Sequence, residues 1–120
     1  MPRILIVDDE PSIGTLYREE FEDEGYEVKT AASGQEALAA LDSFQPDVVT
    51  LDIKMPGMDG IEVLRTIKEH HRKLPVILCT AYDEYKADFG SWACDAYVVK
   101  SSDLAELKQA VRRALKGSAA

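Results

Sequence analysis

Five short apolar segments alternate along this chain with five segments of helical spacing. Strands joined by helices in this order predict a parallel, doubly wound α/β sheet whose right-handed crossovers cover both faces. At 120 residues, 46% of them hydrophobic, the chain can build one such core and is too short for two ordinary domains. We therefore predict one domain over residues 1–116, followed at 117–120 by a disordered tail or the start of a linker.

The predicted strands differ in how deeply they are buried. They are Arg3–Val7, Tyr26–Thr30, Val48–Asp52, Leu74–Thr80 and Asp95–Lys100. Uninterrupted aliphatic and β-branched runs, as in the first and third, are typical of strands covered on both faces. The second alternates at period two, which predicts a less buried strand.

Local signals set the ends of the predicted helices. Gly25 is a C-cap for the first helix, and 33–36 has a capping-box pattern that opens the second. A similar pattern at 59–62 opens the third. A weaker aromatic pattern predicts a fourth helix over 82–92, and residues 102–103 cap the fifth. The predicted inward positions include Ile13, Leu16, Tyr17, Phe21, Ala37, Leu38, Leu41, Ile61, Leu64, Ile67, Phe89, Leu104, Leu107, Val111 and Leu115.

Charged and hydroxyl side chains stand where these strands end. Asp8 and Asp9 follow the first strand and Asp52 ends the third. Thr80 ends the fourth strand and Lys100 the fifth. The carboxyl ends of parallel strands meet at one edge of the sheet, where open α/β folds bind ligands near a topological switch point. The sequence therefore predicts that these five side chains converge.

The residue types at this edge indicate metal-assisted phosphate chemistry. Three carboxylates cannot share a site without compensation, and hard oxygen ligands suit Mg²⁺. Their charges, one Mg²⁺ and Lys100 sum to zero, so an added phosphoryl group disturbs the balance unless nearby donors move to meet it. Thr80 and Lys100 are those donors.

Composition excludes several other classes of protein. A net charge of -8 and a pI of about 4.7 disfavour direct binding to nucleic acid or to an anionic membrane. Cys79 and Cys94 fit neither a disulfide framework nor a metal site, so we interpret both as packing residues in a reducing compartment. His70 and His71 lack a zinc pattern and are interpreted as a surface pair. With no signal peptide and no membrane span, the predicted location is cytoplasmic.

Four motifs, at 6–10, 52–60, 80–82 and 97–100, together resemble the receiver domains of bacterial two-component response regulators. They occur in that family's order and approximate spacing, and the resemblance covers essentially the whole chain. It implies a flavodoxin-like (βα)5 fold, with a five-stranded parallel sheet of order 2-1-3-4-5.

The resemblance also implies a role for each acidic residue. Asp52 would be the phosphoacceptor, taking its phosphoryl group from the phosphohistidine of a histidine kinase or a histidine phosphotransfer protein. Asp9, Asp52 and the Lys54 carbonyl would bind Mg²⁺, with Mn²⁺ as a substitute, and Asp8 would ligate the metal through water. The protein would be a signalling phosphoacceptor that catalyses only its own phosphorylation and slow autodephosphorylation.

The remaining roles concern the conformational change that would follow phosphorylation. Thr80 and Lys100 would grip the phosphoryl oxygens, and Tyr97 would be the aromatic rotamer switch. Phosphorylation would then change the face formed by the fourth helix, fifth strand and fifth helix, where Tyr82 and Tyr85 are candidate anchors for a downstream protein or output domain. A phosphorylation-dependent dimer is compatible with such a face.

One position departs from the family pattern, which places proline after the lysine through a cis peptide. Here Ser101 follows Lys100. A cis bond before a residue other than proline costs roughly 2.5–4 kcal/mol, so a trans peptide is predicted. A functional demand on the position of Lys100 could still retain the cis form.

Three alternative functions share the predicted fold or part of the predicted chemistry. A flavodoxin-type FMN carrier shares the fold, but the acidic 8–10 segment would repel a phosphate. A Mg²⁺-dependent phosphohydrolase of the haloacid dehalogenase kind needs a second acid two residues after Asp52, where Lys54 stands. A degenerate receiver that acts only as a docking module is the third, and the intact set of five residues argues against it.

Overall fold

A parallel sheet forms the centre of the computed structural model, which describes residues 2–52, 60–80, 96–99 and 104–119. Its strands are β1 (Arg3–Val7), β2 (Glu27–Ala31), β3 (Val48–Asp52), β4 (Val76–Thr80) and β5 (Ala96–Val99). They lie in the order β2-β1-β3-β4-β5, and each neighbouring pair is parallel. The predicted α/β class is confirmed, and the bounds of β1 and β3 are those predicted.

The helices of the described residues are α1 (Pro11–Asp23), α2 (Gly34–Phe44), α3 (Gly60–His70) and α4 (Ala105–Ala119). α4 is the helix predicted as the fifth, and the predicted fourth helix at 82–92 lies outside the described residues. α4 continues through Gly117, where the tail was predicted to begin. In the part of the chain that the structure describes, no helix is long and apolar enough to cross a bilayer.

The turn after α1 forms as the sequence indicates. Gly25 has a φ of 93°, in the left-handed region that glycine enters without steric cost. Its N–H donates to the Glu22 carbonyl at 3.0 Å, and the Tyr26 N–H donates to the Phe21 carbonyl at 3.1 Å. These two bonds make a Schellman motif, and the Phe21 and Tyr26 rings meet edge to face at 5.7 Å across it. The start of β2 is thereby fixed against α1.

Two hydrogen bonds open α2 in a variant of the capping box, in which the carboxylate accepts from the residue before the N-cap. The Glu36 N–H donates to the Ser33 hydroxyl at 3.1 Å, while the Glu36 carboxylate accepts from the Ala32 N–H at 3.2 Å. Ser33 has the extended backbone of an N-cap, as predicted. The second predicted capping box cannot be compared in the same way, because Asp59 lies outside the described residues.

Two apolar clusters pack on opposite faces of the sheet. One face carries Leu5, Val7, Ala31, Ala37, Ala40, Leu41, Val49, Leu51, Val63, Leu64, Ile67, Val76 and Leu78. The other carries Ile4, Ile6, Tyr17, Phe21, Val28, Val48, Ile77, Cys79, Val98, Leu104, Leu107 and Val111. β3 is buried along its whole length, so its carboxyl end opens directly from the core.

The inward position predicted for Leu16 is wrong. Its side chain is 43% exposed, whereas its neighbour Tyr17 is 4% exposed. Successive residues differ by 100° around a helix, and the rotation of α1 on the sheet turns Tyr17 toward the core and Leu16 away from it. Leu16 lines a groove beside α4.

Ion pairs join α1 to α4 across that groove. Lys108 Nζ lies 3.0 Å from Glu20 Oε1 and 3.1 Å from Glu24 Oε2, and Arg112 Nη2 lies 2.8 Å from Glu24 Oε1. The hydrogen bond from Arg112 is the largest influence on the pKa of Glu24, which lies below its ordinary value of 4.5 despite partial desolvation. The pKa of Lys108 is raised, first by Glu20 and then by Glu24.

Candidate functional site

The carboxyl ends of β1 and β3 bring two acidic residues side by side. Val7 is paired with Leu51 in the parallel register, so the next residues along the chain, Asp8 and Asp52, stand together at the sheet edge. Both are nearly enclosed, with 6% of Asp8 and 7% of Asp52 exposed. The sequence places them there because each ends an apolar run that the core buries on both faces.

Asp9 completes a cluster of three carboxylates. One oxygen from each of Asp8, Asp9 and Asp52 can be chosen so that all three lie within 4.8 Å of one another. Asp9 is half-buried, which leaves one side of the cluster open to solvent. The predicted convergence is therefore observed for the three acids.

Backbone hydrogen bonds hold Asp8 in this position. The Asp8 N–H donates to the Ala31 carbonyl at 3.0 Å, and Asp8 Oδ1 accepts from the Glu10 N–H at 3.0 Å. The contribution of Ala31 is not apparent from any local sequence pattern, because that contact depends on the β1–β2 register. Glu10, the third acid of the run, is exposed and is the N-cap residue of α1.

The spacing of the cluster suits one small divalent cation. Magnesium holds its oxygen ligands at about 2.0–2.1 Å in an octahedron, so two oxygens on one ion lie about 2.8–4.2 Å apart. Oxygens within 4.8 Å of one another reach that range with a small contraction or with one water between ligand and metal. A divalent charge also offsets the mutual repulsion of the three carboxylates. Asp8, Asp9 and Asp52 therefore fit Mg²⁺ by donor type, number and spacing.

The other predicted site residues are described only in part. The backbone of Thr80 ends β4 beside β3, whose Asp52 is paired with Cys79. The backbone of Tyr97 lies in β5, opposite Leu78. The side chains of both Thr80 and Tyr97 lie outside the described part. Also outside it are Lys54, Lys100, Ser101 with its preceding peptide bond, Tyr82, Tyr85, Phe89 and Cys94.

Three further residues occupy ordinary structural positions. Cys79 is not part of a disulfide and lies buried within the core. His70 is exposed at the end of α3 and His71 is half-buried in the following loop. Within the described residues, the three-carboxylate cluster is the one group of three or more metal-ligating side chains close enough to share an ion.

Comparison with known sequences gives a consistent result. Residues 4–112 match the family described as the response regulator receiver domain. The chain is 44% identical to the regulatory protein AtoC of Escherichia coli over 94% of its own length, which is 25% of AtoC. It is 41% identical to sporulation initiation phosphotransferase F of Bacillus subtilis, covering 94% of this chain and 93% of that protein.

Solved structures share the same architecture. The response regulator protein TrrA of Thermotoga maritima, crystallised in complex with Mg²⁺-BeF, superposes with a TM-score of 0.91 and 50% identity. That match covers 96% of this chain and 100% of TrrA. TrrA has also been crystallised in complex with the histidine kinase ThkA, where the TM-score is 0.89. These neighbours and the parallel sheet support the flavodoxin-like fold.

Proposed function

This chain belongs to the response regulator receiver domain family, and from that premise we propose that Asp52 accepts a phosphoryl group from the phosphohistidine of a histidine kinase or a histidine phosphotransfer protein. The observation that carries the proposal is the buried carboxylate of Asp52 at the end of β3, grouped with Asp8 and Asp9. The family match argues against the flavin carrier and the phosphohydrolase.

In the proposed reaction, an Oδ atom of Asp52 attacks phosphorus in line with the phosphohistidine N–P bond. The O–P bond forms as the N–P bond breaks, and the electron pair returns to the imidazole nitrogen of the donor. Asp9, Asp52 and the Lys54 carbonyl would hold Mg²⁺, with Asp8 acting through water and Mn²⁺ as a substitute. The metal would neutralise charge that develops on the phosphoryl oxygens. The fixed position of Asp52 lowers the cost of alignment.

Thr80 and Lys100 would contact the transferred group from β4 and from the end of β5. Tyr97 would then move into the space vacated by Thr80 and change the face formed by the predicted helix at 82–92, β5 and α4. The acyl phosphate on Asp52 would be hydrolysed slowly. The phosphorylated state would therefore last for a limited time, and the protein would not act as a general phosphatase.

The proposed partners follow from the relatives. The complex of TrrA with a histidine kinase supports a kinase partner here. AtoC extends far beyond the matched region, which supports an output domain or a separate downstream protein contacting the switch face. We place the receiver domain at 1–116 and propose that it dimerises on phosphorylation. We also propose that it makes no direct contact with nucleic acid and is located in the cytoplasm. The absence of a disulfide at Cys79 is compatible with that reducing compartment.

Incubation with Mg²⁺ and acetyl phosphate tests the assignment. Intact-mass spectrometry should show one added phosphoryl group that survives acid and is lost in base. Asp52→Asn should abolish it, while Asp42→Asn, at an exposed carboxylate of α2, should leave it unchanged. Stoichiometric labelling of Asp52→Asn would refute the assignment, and absence of labelling in the unaltered protein would favour the degenerate receiver.

A further inference from the structure

A groove lies at the opposite edge of the sheet from the carboxylate cluster. Its walls are the C-terminal ends of α2 and α3 and the loops that lead into β3 and β4. Its volume is about 620 Å³, within the roughly 300–1,000 Å³ typical of ligand pockets. It opens widely to solvent along one side, which suits an extended segment better than a small molecule enclosed on all sides.

Hydrogen bonds fix the loop that forms one wall. Lys68 Nζ donates to the Leu74 carbonyl at 2.7 Å, and the Leu74 N–H donates to the His71 carbonyl at 3.1 Å. The His71 N–H in turn donates to the Ile67 carbonyl at 2.7 Å, as the last turn of α3 closes. Because the wall is already ordered, a ligand would not have to bear the entropic cost of arranging it.

The floor of the groove is apolar. Leu41 is buried at 5% exposure, and Pro46 and Leu74 are half-buried beside it. These side chains come from separate walls, so an apolar side chain inserted between them would touch both. This is the arrangement expected at the centre of a peptide-binding groove, where an apolar anchor supplies most of the affinity.

Two cations stand unpaired at the rim. Arg72 and Lys73 are exposed, and across the described part of the chain their side chains make no hydrogen bond or ion pair. By contrast, Lys108 and Arg112 on α4 are both engaged with glutamates. In a protein of net charge -8, adjacent free cations offer an acidic partner a local attraction against a repulsive background.

We propose that this groove binds an acidic segment of a partner protein, which places an apolar side chain on the floor and carboxylates against Arg72 and Lys73. Asp42 and Glu69 also line the groove and would oppose such a ligand. The proposal can therefore be tested in both directions. Neutralising Asp42 or Glu69 should strengthen binding, whereas neutralising Arg72 or Lys73 should weaken it.

The groove is a different surface from the phosphorylation site. The groove lies beside the amino end of β3, and the carboxylate cluster lies at its carboxyl end. A strand of five residues spans about 16 Å at 3.3 Å per residue. Binding in the groove is therefore expected to be the same with and without Mg²⁺ at the carboxylate cluster. Failure of the proposed phosphorylation would leave this inference unaffected, and the reverse also holds.

The probe is a fluorescein-labelled pentapeptide with one central leucine flanked on each side by two glutamates, titrated with the full chain at low salt. Arg72→Ala/Lys73→Ala should weaken binding about fivefold, as expected for two exposed charge pairs. The matched control Arg113→Ala/Lys116→Ala removes the same charge from exposed positions on α4 and should change affinity less than twofold. Asp42→Asn should tighten binding about twofold.

Amide chemical shifts locate the peptide independently of affinity. Shifts at Leu41 and Leu74 that saturate with the titration support the proposal. Equal weakening by the α4 control, or shifts confined to other surfaces, would overturn it in favour of general electrostatic attraction. Concentration-dependent self-association that Arg72→Ala/Lys73→Ala abolishes would also overturn it, because a second copy of this chain would then be the occupant.

Discussion

Replacement of Asp52 by asparagine should make the metal-free protein more stable while removing its phosphoacceptor. Asparagine keeps the shape of the side chain and loses one negative charge. Asp52 lies at the same sheet edge as Asp8 and Asp9, and one carboxylate oxygen from each of the three lies within 4.8 Å of the other two. Both Asp8 and Asp52 are less than a tenth exposed, so water screens their repulsion poorly.

The size of the effect follows from that spacing. Two unit charges 4.8 Å apart repel by about 0.9 kcal/mol at the dielectric constant of water and by about 3.5 kcal/mol at an effective value of 20. Asp52 takes part in two of the three pairs. Neighbouring groups and salt offset part of this repulsion, so we expect the free energy of unfolding to rise by about 1–3 kcal/mol.

Urea denaturation in EDTA measures this difference, and repeating it in Mg²⁺ measures the role of the metal. At ten times its dissociation constant, a ligand specific for the native state stabilises it by about 1.4 kcal/mol. The unaltered protein should gain this stabilisation. Asp52→Asn should gain less, because one carboxylate ligand is gone, so the two proteins should approach each other in stability as Mg²⁺ rises.

Two results would refute this reasoning. If Asp52→Asn is less stable than the unaltered protein in EDTA, repulsion among the carboxylates does not dominate the free energy of the site. If both proteins gain equally from Mg²⁺, Asp52 is not a ligand. Asp42→Asn is the control, since its carboxylate is exposed on α2 and its loss should change stability by less than about 0.5 kcal/mol.

Three further predictions concern α1 and its contacts. Gly14→Ala should stabilise the protein by about 0.5–1 kcal/mol in thermal or urea unfolding, because the added methyl would lie 3.7 Å from Thr30 Cγ2, an ordinary contact; a loss of stability would contradict this. Glu24 has a lowered pKa through Arg112, so its contribution to stability is present above about pH 4.5 and is lost as the pH falls further; Glu24→Gln should flatten that part of the pH–stability curve, and an unchanged curve would count against the ion pair. Phe21→Ala should cost about 3–5 kcal/mol by urea unfolding, since the ring is fully buried, and a cost below 1 kcal/mol would show that the site collapses around the cavity.

The sequence alone determined the features that depend on local backbone chemistry. The bounds of β1 and β3 follow from apolar runs that stop at a charge or a turn. The cap at Ser33 follows from a hydroxyl within reach of an N–H three residues on. The turn at Gly25 follows from a conformation that other residues rarely adopt. The grouping of Asp8 with Asp52 could also be predicted, because parallel strands must bring their carboxyl ends to the same edge.

Tertiary packing determined the burial and the long-range contacts that no local sequence pattern predicts. Leu16 and Tyr17 are both apolar, and only the rotation of α1 on the sheet determines which of them is buried. Lys108 meets Glu20 across 88 positions of sequence because α1 and α4 cover the same face of the sheet. The groove beside Arg72 likewise exists only because α2 and α3 end next to each other. Such contacts depend on the distance and angle between whole elements, which the packing of many side chains sets together.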